Sequence, residues 1–162
     1  MSNSILSLPN KNPVLFAGVA AAFILASAFG FQFAGYHPCD MCWWQRYPYM
    51  VAMGIALIAT AVRQIPQKWV LLLLALVFAV DAGLAMFHVG VEQRWWEGVS
   101  TCSGMVGVTD SVNDALDAIM NAPLIRCDEI AWSLFGISMA GYNFLLATGL
   151  TVFCVKKARD TN

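Results

Sequence analysis

The chain has 162 residues, 59% of them hydrophobic and 12% charged, with a net charge of -1. Soluble domains carry roughly 25% charged residues, so the composition excludes an ordinary soluble domain and points to a membrane protein. The balanced charge leaves no basic excess for nucleic acid, and no nucleic-acid partner is expected.

A bilayer crossing needs about 20 mostly apolar residues. Four segments meet that length, at residues 13–34, 44–62, 69–88 and 130–155. The expected fold is an all-α four-helix transmembrane bundle, forming a single integral membrane domain over residues 1–162. Trp69, Trp95, Trp96 and Trp132 lie near the span ends, where amphipathic rings favour the headgroup region. Lys11, Arg63, Lys68, Lys156, Lys157 and Arg159 fall on one side; Arg46, Arg94 and Arg126 fall on the other. The positive-inside rule then makes the termini and the "RQIPQK" turn cytoplasmic. The outer loops, about 35–43 and 89–129, face the opposite compartment.

In the first span, "ASA" at Ala26–Ala28 resembles a signal-peptide cleavage site, but the apolar run continues through Phe29, Phe31 and Phe33. The span is expected to be retained. Gly18, Ala22, Ala26, Gly30 and Ala34 recur every four residues, a ridge of small side chains suited to close helix packing.

The first outer loop carries "HPCDMCWWQRYP". A Cys-x-x-Cys disulfide closes a very small loop, and strained or exposed disulfides are labile and oxidising. Structural staples favour longer loops. Pro48 is tolerated only in the first turn of a helix, so the second helix is expected to begin near Trp44 or Gln45, just after Cys42. A helix N-terminus and the nearby Arg46 both favour a thiolate at Cys42. Arg46 as a lipid-headgroup anchor is the plain alternative. A c-type haem site would need His at the position of Trp43. Zinc could take four Cys ligands, but the second pair is not Cys-x-x-Cys and its spacing is much less typical of structural zinc, so no metal is expected.

In the third span Asp81 lies deep in the bilayer, and His88, seven residues on, shares its face. Such a face suits either a proton path or a structural carboxyl bonded to a neighbouring helix. In the second outer loop Cys102 and Cys127 flank "TDSVNDALDAIMNAP". This segment reads as a short amphipathic helix, capped by Thr109 or Asp110 and followed by Pro123. Cys39, Cys42, Cys102 and Cys127 thus face the compartment where disulfides persist, whereas Cys154 lies near the cytoplasmic end of the last span. In that last span Gly136, Ala140 and Gly141 suit helix packing.

The ordered set "PCDMCWWQR", "FHVGVEQRWW" and "RCDEIAWSLFGISMAGYN", within four spans, resembles the disulfide bond formation protein B (DsbB) family over nearly the whole chain. The resemblance implies a protein-dithiol:quinone oxidoreductase of the bacterial inner membrane, with both cysteine-pair loops periplasmic. It would reoxidise a periplasmic thioredoxin-fold dithiol protein (DsbA-like) and reduce a membrane quinone, ubiquinone or menaquinone. By the same resemblance Cys102 and Cys127 exchange with the soluble partner, Cys102 forming the mixed disulfide. Cys39 and Cys42 form the quinone-coupled pair, Cys42 faces the quinone ring, and Arg46 stabilises that complex. The family also carries a histidine near the outer end of span three. His88 is the candidate for its place at the cofactor, and a shift of a few residues would put Glu92 or Gln93 there instead.

Two other readings share parts of this pattern. One is a non-enzymatic membrane protein with two structural disulfides. The other is a quinone reductase resembling the vitamin K epoxide reductase family, whose Cys-x-x-Cys motif lies late in its chain.

Overall fold

A computed structural model describes residues 8–62, 64–98 and 126–161. Cys102, Arg63 and the expected amphipathic helix lie outside the described residues. The described chain is mostly helical: α1 (Leu8–Lys11), α2 (Pro13–Phe33), α3 (Asp40–Trp44), α4 (Arg46–Ala61), α5 (Gln67–Glu92), strands β1 (Ser133–Leu134) and β2 (Ile137–Ser138), and α6 (Met139–Asp160).

Among the described residues three helices, α2, α5 and α6, are long and apolar enough to cross a membrane. The segment expected as the second span is a 16-residue helix, α4. At about 1.5 Å per residue it is shorter than the roughly 30 Å of a hydrocarbon core. The chain reaches it through a separate short helix, because Gln45 caps α3 at its end and α4 at its start. Helix α4 therefore starts at Arg46, with Pro48 in its first turn, and Cys42 lies inside α3 rather than just ahead of the longer helix.

Helix α2 opens with Pro13 at its first position and the Asn12 side chain accepting from Leu15 N at 3.3 Å. It closes in a Schellman turn: Tyr36 N donates to Phe31 O at 3.1 Å, Gly35 N donates to Gln32 O at 3.1 Å, and Gly35 takes φ 99°. That left-handed residue redirects the chain into the loop that presents Cys39.

Helix α2 packs chiefly on α4, and α5 chiefly on α6. Ala17, Ala21, Ala52 and Ala56 are buried where the first pair meets. A side-chain carbon on Gly18 would come within 2.5 Å of Ala56 Cβ, so the small residues there do permit close approach. The larger core is formed by Tyr49, Leu71, Leu74, Phe78, Leu150 and Cys154. Phe23, Leu57, Ile58, Leu76, Val80 and Val152 instead point outward. A helical protein that buries alanine and exposes large apolar side chains is arranged for lipid contact.

The last helix begins at Met139, nine residues after the expected start at Ile130. Residues 133–138 form an antiparallel hairpin pairing Ser133 with Ser138 and Leu134 with Ile137. Phe135 (φ 51°) and Gly136 (φ 78°) make its two-residue turn, both in the left-handed region that such a turn requires. Gly136 thus serves the turn, and Gly141 packs against Ile137 of the hairpin. Ser138 caps α6, accepting from Gly141 N at 3.1 Å, and its hydroxyl donates to Glu92 at the end of α5.

Candidate functional site

The Cys-x-x-Cys pair sits at the outer end of the helices, on α3. Cys39 is the N-cap of α3, and its sulfur accepts from Cys42 N at 3.2 Å. The two sulfurs are free thiols 2.7 Å apart, with Cys39 buried and Cys42 partly exposed. The hydrogen bond from Cys39 lowers the Cys42 thiol below its ordinary range, and the Arg46 charge acts in the same direction, against burial and Glu92. Cys39 is pushed up, first by that same bond and then by burial. The pair therefore gives up its first proton more readily from Cys42 than from Cys39, and the thiolate is the nucleophilic form of a cysteine.

Arg46 is buried, although a headgroup anchor would be exposed. Its NH1 donates to Gln32 Oε1 at 2.6 Å and its NH2 to Ala28 O at 3.2 Å, both on α2. Its guanidinium carbon lies 4.7 Å from the Phe29 ring centroid and 4.6 Å from that of Trp43. The cation is held by amide and carbonyl oxygens and by aromatic faces, without a carboxylate partner among these contacts. Its charge thus stays available to an anion at Cys42 or in the adjacent cavity.

That cavity, about 370 Å³, opens beside the pair. Cys39, Cys42, Arg46 and His88 form one part of its wall, and Phe31 and Trp132 contribute aromatic surface. The Phe31 and Trp132 rings are 5.0 Å apart, so the hairpin closes the cavity against α2. An apolar enclosure with a thiol, a guanidinium and an imidazole suits a largely apolar small molecule with a few polar atoms.

His88 Nε2 lies 3.7 Å from Cys39 Sγ and 3.9 Å from Glu92 Oε1. Of the three candidates at the end of this helix, His88 touches the pair, Glu92 lines the cavity, and Gln93 is the helix C-cap. Asp81 is fully buried and Oδ1 has no hydrogen-bond partner among the described residues. It connects to His88 through other side chains: Asp81 Oδ2 accepts from Asn143 Nδ2 (3.2 Å), Asn143 Nδ2 also donates to Gln45 Oε1 (2.8 Å), and Gln45 Nε2 contacts His88 Nδ1 (2.7 Å).

Cys127 is buried in the same small cluster as Cys39, Met41 and Val91, and it is disulfide-bonded. Arg126 forms a two-pronged bond to Asp128 beside it, at 2.9 and 2.7 Å. Four of the five expected catalytic residues, Cys39, Cys42, Arg46 and Cys127, therefore meet with His88 at one end of the helices. Gln32, Gln45, Tyr49 and Asn143 were not expected in this role. Their signal in the sequence is polar side chains inside apolar runs, as in "FGFQFAG" and "AGYNFLLA".

Fold and site together define a helical membrane protein that carries a polarised, partly buried dithiol beside an apolar cavity. The chain belongs to the family described as disulfide bond formation protein DsbB, whose model matches residues 10–156. It is 30% identical over 120 residues to a Rickettsia prowazekii protein named Uncharacterized protein RP370, covering 73% of this chain and 69% of that one. It is 28% identical over 155 residues to disulfide bond formation protein B of a Psychrobacter species, covering 90% and 88%. Disulfide bond formation protein B 2 of Pseudomonas syringae is 28% identical over 145 residues, covering 84% and 81%. No solved structure matches the chain. Family membership makes it a membrane protein with an oxidoreductase role in disulfide formation.

Proposed function

We propose that the protein is a thiol:quinone oxidoreductase of the bacterial inner membrane, which reoxidises a periplasmic thioredoxin-fold dithiol protein and passes the electrons to a membrane quinone. The observation that carries this reading is the free Cys39–Cys42 pair on the wall of an apolar cavity, with buried Arg46 beside it. In this reading α4 completes a four-helix bundle as the second span, within one domain over residues 1–162. The termini are cytoplasmic and both cysteine-pair loops periplasmic.

The partner's dithiol opens the Cys102–Cys127 disulfide, with Cys102 taking the mixed disulfide. Cys102 and Cys127, now reduced, open Cys39–Cys42 in turn. Each exchange breaks one S–S bond and makes one, so two electrons and two protons pass along per cycle. The quinone, bound in the cavity, supplies the final acceptor for both. Cys42 presents the thiolate to it, Arg46 holds negative charge there, and His88 offers a hydrogen-bond donor at the same wall. The burial of Cys127 beside Cys39 supports transfer between the two pairs.

The test uses the full chain in liposomes, a reduced thioredoxin-fold dithiol protein and either ubiquinone or menaquinone, with quinone absorbance followed over time. Rapid loss with the wild type and none with Cys42→Ser is expected. Equal loss with Cys42→Ser, or no turnover with any reduced dithiol, overturns the proposal and leaves the cysteines as structural cross-links.

A further inference from the structure

Gln45 is buried between α3, α5 and α6, and its neighbours allow only one orientation of its side-chain amide. Its Nε2 lies 3.3 Å from the main-chain oxygen of Met41 and 2.7 Å from His88 Nδ1. A carbonyl oxygen only accepts, so the Gln45 group facing Met41 is the NH2. The same nitrogen faces His88, so Nδ1 must accept there. In a neutral imidazole the proton then sits on Nε2. The Gln45 oxygen is fixed from the other side, where Asn143 Nδ2 donates to it at 2.8 Å.

Asn143 is in turn bonded to Tyr49 and Asp81. Its oxygen accepts from the Tyr49 hydroxyl at 2.5 Å, and its nitrogen also donates to Asp81 Oδ2 at 3.2 Å. Turning over the Gln45 amide would set its oxygen against the Met41 oxygen and its NH2 against the Asn143 NH2. Burial magnifies both penalties, since Gln45 is 7% and His88 4% exposed. The Nε2–H that results has Cys39 Sγ at 3.7 Å and Glu92 Oε1 at 3.9 Å, and the Cys127 main chain also hydrogen-bonds the His88 ring.

We propose that Gln45 and Asn143 are positioning residues that lock His88 as its Nε2–H tautomer and hold that donor beside Cys39 Sγ. His88 then serves the cysteine pair as a hydrogen-bond donor and not as a base, because Nε2 has no lone pair to take a proton from Cys39. The same lock disfavours a soft cation at the three ligand atoms of Cys39, Cys42 and His88, although these lie within 4.8 Å of one another. Donors point one way along the series, from Asn143 to Gln45, from Gln45 to His88 and from His88 to Cys39. A chain of that sense polarises toward the sulfurs. The use of this donor in catalysis rests on the oxidoreductase reading, whereas the tautomer itself does not.

The chain has two histidines, His37 and His88. The full-length reduced protein is labelled with ring-15N histidine in lipid nanodiscs, and the His37→Gln variant assigns the remaining signals to His88. The expected spectrum at neutral pH shows Nε2 protonated and Nδ1 unprotonated and hydrogen-bonded. In Gln45→Glu, whose carboxylate only accepts, the proton is expected on Nδ1. Should that variant not fold, Gln45→Met removes the donor at similar length, and the Nδ1 signal is expected to move to that of a free acceptor. A proton on Nδ1 in the wild type overturns the proposal, as does an Nδ1 signal unmoved by both substitutions. The tautomer is read without turnover, so failure of the oxidoreductase reading shows separately in the quinone assay.

Discussion

Replacing Cys39 with alanine removes the largest influence that depresses the Cys42 thiol, the hydrogen bond between two sulfurs 2.7 Å apart. Hydrogen bonds to charged groups contribute about 1.5–3 kcal/mol. About 1.36 kcal/mol is a factor of ten in the protonation equilibrium, so the loss moves the Cys42 midpoint up and lowers the thiolate fraction. Because only the thiolate reacts, Cys42 alkylation at a pH below the wild-type midpoint should slow by about 10- to 100-fold. The assay is the rate of iodoacetamide modification of the reduced protein against pH, read at the Cys42 peptide by mass spectrometry. The rate rises with pH in every variant, and the curve for Cys39→Ala lies to the alkaline side of the wild type. Arg46→Gln is expected to shift it the same way by less, since the guanidinium acts at longer range through its charge. An unmoved midpoint in Cys39→Ala, or a larger shift in Arg46→Gln, would refute the argument that the neighbouring thiol is what activates Cys42.

Two further substitutions test the scaffold around the site. Gly90→Ala would drive a methyl group into the Trp96 ring, which stacks on Phe87 and donates to Phe87 O at 2.9 Å. Overpacking of this kind costs about 1–3 kcal/mol, so the melting temperature in detergent should fall, and an unchanged value would contradict the contact. Phe135→Gly should stabilise the hairpin, since Phe135 holds φ 51° while 91% exposed and has little packing to lose. Relief of a left-handed non-glycine residue is worth about 1 kcal/mol. Slower amide exchange at Ser133 and Ser138 is the expected result, and faster exchange would count against it.

Much of the site was legible in the sequence, because the relevant signals are local. A Cys-x-x-Cys motif with Arg46 four residues on needs no tertiary information to be noticed, and hydropathy over about 20 residues is enough to place Pro13–Phe33 or Gln67–Glu92. The last span was legible as apolar but not in its limits. The run from Ile130 to Ser138 is apolar enough to continue a helix, and only the left-handed Phe135 and Gly136 show it as a hairpin. The start of α4 at Arg46 agrees with the beginning near Trp44 or Gln45 that Pro48 suggests, whereas the separate short helix α3, which carries Cys42, had no signal of its own in the sequence.

What the amino-acid order determined by itself was the membrane character, the family and the presence of a Cys-x-x-Cys pair with Arg46 close by, all of which are written in neighbouring residues. What only the tertiary structure decided was the company these residues keep. Arg46 finds Gln32 and Phe29 on another helix, and Gln45 meets His88 from one side and Asn143 from the other. Such partnerships join residues far apart in the chain. Buried polar groups must pair with whatever polar groups the packing brings within reach, and helix packing alone sets which those are.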